Sequence, residues 1–154
     1  MNTPTLGYED DTTISKVEIA RVQLAEAIAL FLSEKFLCAT TLAGAAEVVF
    51  AGLLSQRGLK SVVEDSTETI RTIREHTGLA LAGGKKAADI YNQWNDIRNK
   101  LKHHGKNDSE SITVNLFDES YWMIKRALEN AKKLSVEIHN ESDFENWVIV
   151  NIHM

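Results

Sequence analysis

The chain has 154 residues, a length that fits one domain with a substantial hydrophobic core. Its composition, 44% hydrophobic and 25% charged, is that of an ordinary globular protein, and its net charge of −5 argues against a general nucleic-acid coat. The acidic N-terminus is unlike a signal peptide, and every apolar stretch is interrupted before the roughly 18 residues of a membrane span. We therefore predict a cytoplasmic protein with no membrane partner.

Apolar residues recur with a helical period along most of the chain, which predicts an all-α fold. We expect helices over residues 12–34, 36–57, 61–77 and 85–104, and from residue 118 onward, arranged as an up-and-down bundle of four or five helices. Residues 1–11 are predicted to be a flexible tail, and residues 12–154 a single domain.

Smaller features complete this prediction. Gly58 is expected to cap the second helix, and residues 79–82 are expected to form a packed turn. Cys38, the single cysteine, is predicted to be a small core residue rather than a nucleophile. The apolar segment 144–152 is expected to dock on the bundle or on another chain.

The most informative stretch runs from Trp94 to Gly105. It lies within a basic segment, residues 85–106, that contains six Lys and Arg residues but only two Asp residues. Arg98 falls on the apolar stripe of the predicted helix, so it points toward the core or a partner. A buried guanidinium needs a carboxylate, a phosphate or a second subunit. Glu47, beside the apolar stripe of the second helix, is a candidate partner for Arg98; the alternative is a solvated rim glutamate.

The chemistry of this stretch favours phosphodiester cleavage. His103 and His104 are adjacent and have neither a His-x3-His spacing nor a cysteine pair nearby, so we predict no metal site and no cofactor. A histidine can accept the proton of a ribose 2′-hydroxyl, and an arginine can neutralise the charge that grows on the phosphate. An arginine and a histidine in a basic patch therefore suit metal-independent RNA cleavage.

Helix geometry limits this chemistry within one helix. Arg98 diverges by about 140° from His103 and by about 120° from His104. They converge only if the helix end unwinds before Gly105, or if two copies contribute across a twofold axis. The apolar setting of Arg98 favours the second route and predicts a homodimer. The alternative is a monomer in which Glu47 alone satisfies Arg98.

The segment from Arg98 to His103 resembles the signature of the HEPN superfamily: an arginine, a polar residue directly after it, and a histidine four to six positions beyond the arginine. The run Thr41-Leu42-Ala43-Gly44-Ala45-Ala46-Glu47 and the order of helices are also similar. This resemblance implies a helical bundle, usually dimeric, and a metal-independent ribonuclease acting as a toxin or in defence. A cognate antitoxin or nucleotidyltransferase partner is implied as well.

The resemblance also implies site roles. Arg98 would stabilise phosphate charge, His103 would transfer protons, and Asn99 would orient the site. His104 satisfies the same loose spacing, and Lys102 and Glu47 are supporting candidates. Gly105 departs from the tyrosine found two residues after the motif histidine in members neutralised by nucleotidyltransferases. The second functional hypothesis is a non-catalytic HEPN-like module for dimerisation or binding.

Overall fold

A computed structural model describes residues 4–152 of the chain. It contains six α-helices and one 3-10 helix, and no strand forms in the described residues, so the all-α prediction is confirmed. The α-helices are α1 (Lys16–Leu32), α2 (Phe36–Gln56), α3 (Val62–Thr77), α4 (Ala87–Lys100), α5 (Leu116–Lys133) and α6 (Glu141–Asn151). The 3-10 helix spans Leu81–Gly84, between α3 and α4.

Helix α2 is the centre of the molecule and packs against both α1 and α5. The helices approach closely because alanines from all three supply buried contacts, including Ala27 on α1, Ala43 on α2 and Ala127 on α5. By length and composition, α2 is the one described helix apolar enough to cross a membrane. Its place between two other helices accounts for that composition, because it contributes to the core on more than one side.

An aromatic cluster closes one end of the bundle and holds α6 in place. Phe31 packs edge-to-face against Phe144 and Trp147, with ring centroids 5.2 and 5.0 Å apart. Phe144 is fully buried, which confirms the prediction that this apolar segment docks on the bundle. Ile149 and Val150 of the same segment remain exposed because they lie on the outer face of α6.

Helix ends follow ordinary capping chemistry. The side chain of Ser61 accepts from the N–H of Glu64, whose side chain accepts from the Ser61 N–H, a complete capping box. Gly58 adopts a left-handed conformation two residues after the end of α2, so it helps to end the helix, as predicted. Helix α1 begins at Lys16, four residues later than predicted, where the side chain of Ser15 accepts from the Glu18 N–H and caps the helix. Residues 4–15 form no helix and are exposed, whereas residues 1–3 and 153–154 of the predicted tail and domain lie outside the described residues.

Three smaller predictions are wrong. Cys38 is exposed. The prediction failed because apolar residues occur on every side of α2, so their spacing does not indicate which face of the helix is buried. Residues 79–82 do form a turn, but only Leu81 is half-buried, and the turn is held by Arg74 Nε donating to the Leu81 carbonyl at 2.9 Å. The helix expected from residue 118 onward ends at Lys133, so Ile138 is buried in the loop between α5 and α6 rather than on that helix.

Candidate functional site

Arg98 is buried against α2, as its position on the apolar stripe predicted. Only 8% of the residue is exposed, and Nη1 donates to Glu47 Oε2 at 2.8 Å. Glu47 is itself 3% exposed, so the predicted pairing of these residues is confirmed and the alternative of a solvated rim glutamate is wrong. The partner that a buried guanidinium requires is therefore present within one protomer.

A second arginine joins this ion pair. Arg126 on α5 donates from Nη2 to Glu47 Oε1 at 3.2 Å and to Asn95 Oδ1 at 2.7 Å. Its Nη1 donates to the Trp94 carbonyl at 3.0 Å. Two guanidinium groups thus share one carboxylate, and this buried cluster ties α2, α4 and α5 together with one positive charge in excess.

Sequence reasoning missed Arg126 and Asn95. One signal for Arg126 was present: it follows Met123 by three residues, so both lie on one face of α5, and Met123 is 1% exposed. Asn95 gave no such signal, because nothing in its spacing distinguishes it from a surface asparagine. It is 1% exposed, and within residues 4–152 its side chain is held only by Arg126, which donates to its oxygen.

Gly44 allows the close approach of α4 to α2. A Cβ at this position would lie 2.7 Å from Arg98 Cγ and 2.9 Å from Arg98 Cδ. These distances are shorter than van der Waals contact, and the Arg98 side chain cannot swing away without leaving Glu47. Glycine at position 44 is therefore required by packing.

We expect Gly44→Ala to destabilise the protein although alanine favours helices. Overpacking costs on the order of 1–3 kcal/mol, which outweighs the gain of about 1 kcal/mol in helix propensity. Gly52, also in α2, is the matched control, because a Cβ there meets no atom within 4 Å. Gly52→Ala should raise the free energy of unfolding by about 0.5–1 kcal/mol in urea titrations. Equal stabilisation by both substitutions would contradict this account.

Helix α4 ends four residues earlier than predicted, at Lys100. Gly105 does not adopt a left-handed conformation, so it does not cap the helix as expected. Instead Gly105 belongs to a separate turn, in which its N–H donates to Asp108 Oδ2 at 2.6 Å and its carbonyl accepts from the Asp108 N–H at 3.1 Å. His103 and His104 lie beyond the last residue of α4, although the His103 N–H still donates to the Asn99 carbonyl at 3.1 Å. The helix thus ends before Gly105, which is the first of the two predicted routes, but Arg98 does not join the histidines.

These histidines line an open groove of about 900 Å³, here called the histidine groove. Its walls are residues 99–104 and 108–113, which include the predicted site residues Asn99, Lys102, His103 and His104. All four are exposed. Arg98 and Glu47 do not line the groove, so the structure brings together the predicted site residues in two separate groups.

The groove offers proton-transfer groups and a positive charge at its surface. Lys100 is paired with Asp96 at 2.7 Å, whereas Lys102 has no ion-pair partner in the part of the chain that the structure describes. The carboxylate of Asp108 is engaged by the Gly105 N–H. Glu110 also lines the groove and has no ion-pair partner in the described residues, so the arrangement places one unpaired lysine and two acidic side chains beside two accessible imidazoles.

Comparisons with known proteins give no relative from which to transfer a role. Searches for a matching protein-family model, a similar curated protein and a similar solved structure find no match for this chain.

Proposed function

We propose that this protein is a metal-independent endoribonuclease with a HEPN-like bundle, and that it cleaves RNA in the histidine groove. One observation carries the proposal: α4 ends at Lys100, so that Asn99, His103 and His104 line the same open groove. Accessible imidazoles next to an unpaired lysine suit a polyanionic substrate that contains its own nucleophile.

The proposed reaction needs one proton acceptor in the groove. His103 accepts the proton of a ribose 2′-hydroxyl, the 2′-oxygen attacks the adjacent phosphorus, and the bond from phosphorus to the 5′-oxygen breaks. The leaving 5′-oxygen takes a proton from water, which reaches the exposed groove freely. The products are a 2′,3′-cyclic phosphate and a 5′-hydroxyl. Lys102 is the cation placed to offset charge on the phosphate, and Asn99 is a hydrogen-bond donor for orienting it.

Arg98 takes a different role in this proposal from the one that the family resemblance implies. Its Nη1 is bound by Glu47, and Arg98 does not line the groove. We therefore assign Arg98 as a positioning residue. It fixes α4 on α2 and so determines the position of Asn99, the first residue of the groove. Because Glu47 pairs with Arg98 within one protomer, the homodimer now rests on the resemblance alone, as does an antitoxin or nucleotidyltransferase partner. The proposed cytoplasmic location rests on the sequence composition instead.

The burial of Arg98 also favours a second candidate function. An arginine that is paired inside the protomer cannot meet a phosphate without leaving its carboxylate, which suits a HEPN-like module that keeps the fold but binds without cleaving. Such a module would use the histidine groove as a binding surface only. The two candidates differ in one measurable respect, the appearance of new RNA ends.

The test is cleavage of a mixed set of structured and unstructured RNAs by the purified protein. We expect cutting that persists in EDTA and products with 2′,3′-cyclic phosphate and 5′-hydroxyl ends, since the ribose hydroxyl is the nucleophile. Products with 5′-phosphate ends, or activity abolished by EDTA, would contradict the mechanism. Folded protein that binds these RNAs and leaves all of them intact would favour the binding module.

A further inference from the structure

Helices α3 and α4 lie outside the hydrophobic core of the bundle. The core cluster takes its helical residues from α1, α2, α5 and α6, here called the core helices, and in the described part of the chain no residue of α3 or α4 belongs to it. Among the described residues, Val63 is the one buried on α3, and Ile90, Asn95 and Arg98 are those buried on α4. Residues 62–100, here called the α3–α4 arm, therefore bury little apolar surface, which is typical of a region that opens at lower free energy than the core.

A cavity of about 650 Å³ lies where the arm meets α5. Val63 and Trp94 line it from the arm, and Trp122 and Met123 line it from α5. Trp94 is half-buried and Trp122 is 61% exposed, so these two large side chains do not close the interface. Side chains that line a cavity lack packing partners on that side, so apolar packing holds the arm only in part.

Polar contacts attach the start of the arm to α5. The Val62 N–H donates to Asn130 Oδ1 at 2.9 Å, and the carboxylate of Asp65 pairs with Lys133. Asp65 and Lys133 are partly exposed to solvent, where an ion pair contributes little. An interface with this polar character resembles those between domains that move relative to one another.

The ion-pair cluster attaches the end of the arm, and its composition lets the arm leave without an uncompensated charge. Arg98 belongs to the arm, whereas Glu47 and Arg126 belong to α2 and α5. When the arm moves away, Glu47 Oε1 keeps Arg126 Nη2 at 3.2 Å, and Arg98 reaches water. Breaking a buried ion pair is most costly when one charge stays buried alone, and the second arginine prevents that here.

The closed arrangement also leaves buried donors without acceptors. Within residues 4–152, Arg98 Nε, Arg126 Nε and Asn95 Nδ2 are buried and have no hydrogen-bond partner. A buried donor without an acceptor costs free energy that contact with water restores. Opening of the arm hydrates Arg98 and Asn95, which offsets part of the cost of the contacts that are lost.

We propose that the α3–α4 arm opens from the core helices as one unit, with the Arg98–Glu47 pair as its latch. Two segments outside the helices join the arm to α2 and α5 and can absorb the change in backbone conformation. The first is residues 57–61, in which Gly58 is left-handed and exposed. The second is residues 101–115, which form no helix.

The same opening moves one wall of the histidine groove. Asn99 directly follows the latch residue Arg98 on α4, whereas residues 108–113 of the other wall lead into α5. The two walls therefore separate when the arm opens. An effect of this movement on cleavage rests on the proposed function, whereas the opening itself does not.

Hydrogen exchange of the whole protein, measured by mass spectrometry without RNA, tests the opening. We expect the interior amides of α3 and α4 to share one level of protection, about 10²-fold or more below that of α1, α2 and α5. Arg98→Met, which keeps the packing volume but removes the latch, should lower the protection of both arm helices about tenfold or more. Arg71→Gln is the matched control, because Arg71 pairs with Glu75 within α3; protection should change by less than about fivefold.

Thiol labelling with iodoacetamide gives a second readout that does not depend on Arg98. In a Cys38→Ser background, Val63→Cys and Ile90→Cys place a thiol on each arm helix, and Ile124→Cys places one in the core; each of these three residues is at most 2% exposed. We expect the two arm thiols to react at similar rates, about 10²-fold faster than the core thiol.

Three results would overturn the proposal. Equal protection or equal labelling in the arm and the core helices would show that the bundle opens only as a whole. Loosening of one arm helix without the other would show that the arm is not a unit. Unchanged protection of the arm in a folded Arg98→Met variant would show that Arg98 is not its latch.

Discussion

His103→Ala should lower the rate of RNA cleavage by about 10²- to 10⁴-fold, because it removes the proposed proton acceptor. The side chain is exposed and has no hydrogen-bond partner among the described residues, so the substitution leaves the fold unchanged. Initial rates on an end-labelled RNA, with circular dichroism for both proteins, measure the effect. A loss of this size in a folded protein would identify a group that takes part in the reaction rather than in folding.

His104→Ala is the internal control for that assignment. Its imidazole lines the same groove and is also exposed, but the proposed reaction does not require it. We expect its rate to stay within about tenfold of the wild-type rate, below the smallest loss attributed to general base catalysis. Loss of cleavage in His104→Ala with normal cleavage in His103→Ala would exchange the two roles. Normal cleavage in both variants would remove the proposed mechanism.

Glu47→Ala should lower the free energy of unfolding by about 3–5 kcal/mol, because it leaves the guanidinium groups of Arg98 and Arg126 buried without their shared carboxylate. That loss is a large share of the 5–15 kcal/mol that typically stabilises a domain. Urea denaturation followed by circular dichroism measures it. Glu75→Gln is the control: Glu75 pairs with Arg71 at 2.8 Å on the exposed face of α3, and such pairs contribute about 0–1 kcal/mol.

The same carboxylate tests whether Arg98 positions the groove or contacts phosphate. Glu47→Gln keeps a hydrogen-bond acceptor for the guanidinium but removes the negative charge. If Arg98 is a positioning residue, this substitution should shift α4 and lower the cleavage rate by a factor similar to that of Arg98→Ala. If Arg98 contacts phosphate, releasing it from Glu47 should leave cleavage unchanged or raise it. A Glu47→Ala variant as stable as the wild type would contradict the structural role of the cluster.

The all-α class and the Arg98–Glu47 pair were predictable from the sequence, because helical periodicity reports which side of a helix is buried. An arginine on an apolar stripe and a glutamate beside another require a partner of opposite charge, and each residue supplies it for the other. Gly44, part of the run from Thr41 to Glu47, lies under the Arg98 side chain. Periodicity did not choose a single buried face for α2, whose apolar residues surround the whole helix, so Cys38 was assigned to the wrong side.

The sequence by itself thus determined the all-α class, the burial of Arg98 and its partner, because these depend on local periodicity and on the cost of an unpaired buried charge. Only the structure decided where α4 ends, at Lys100, because periodicity does not register the local turn from Gly105 to Asp108 that follows it. It also decided that Arg126 shares Glu47, since that contact joins residues 79 positions apart. Contacts between distant segments depend on how the helices pack, and the packing separates Arg98 from the groove in which His103 lies.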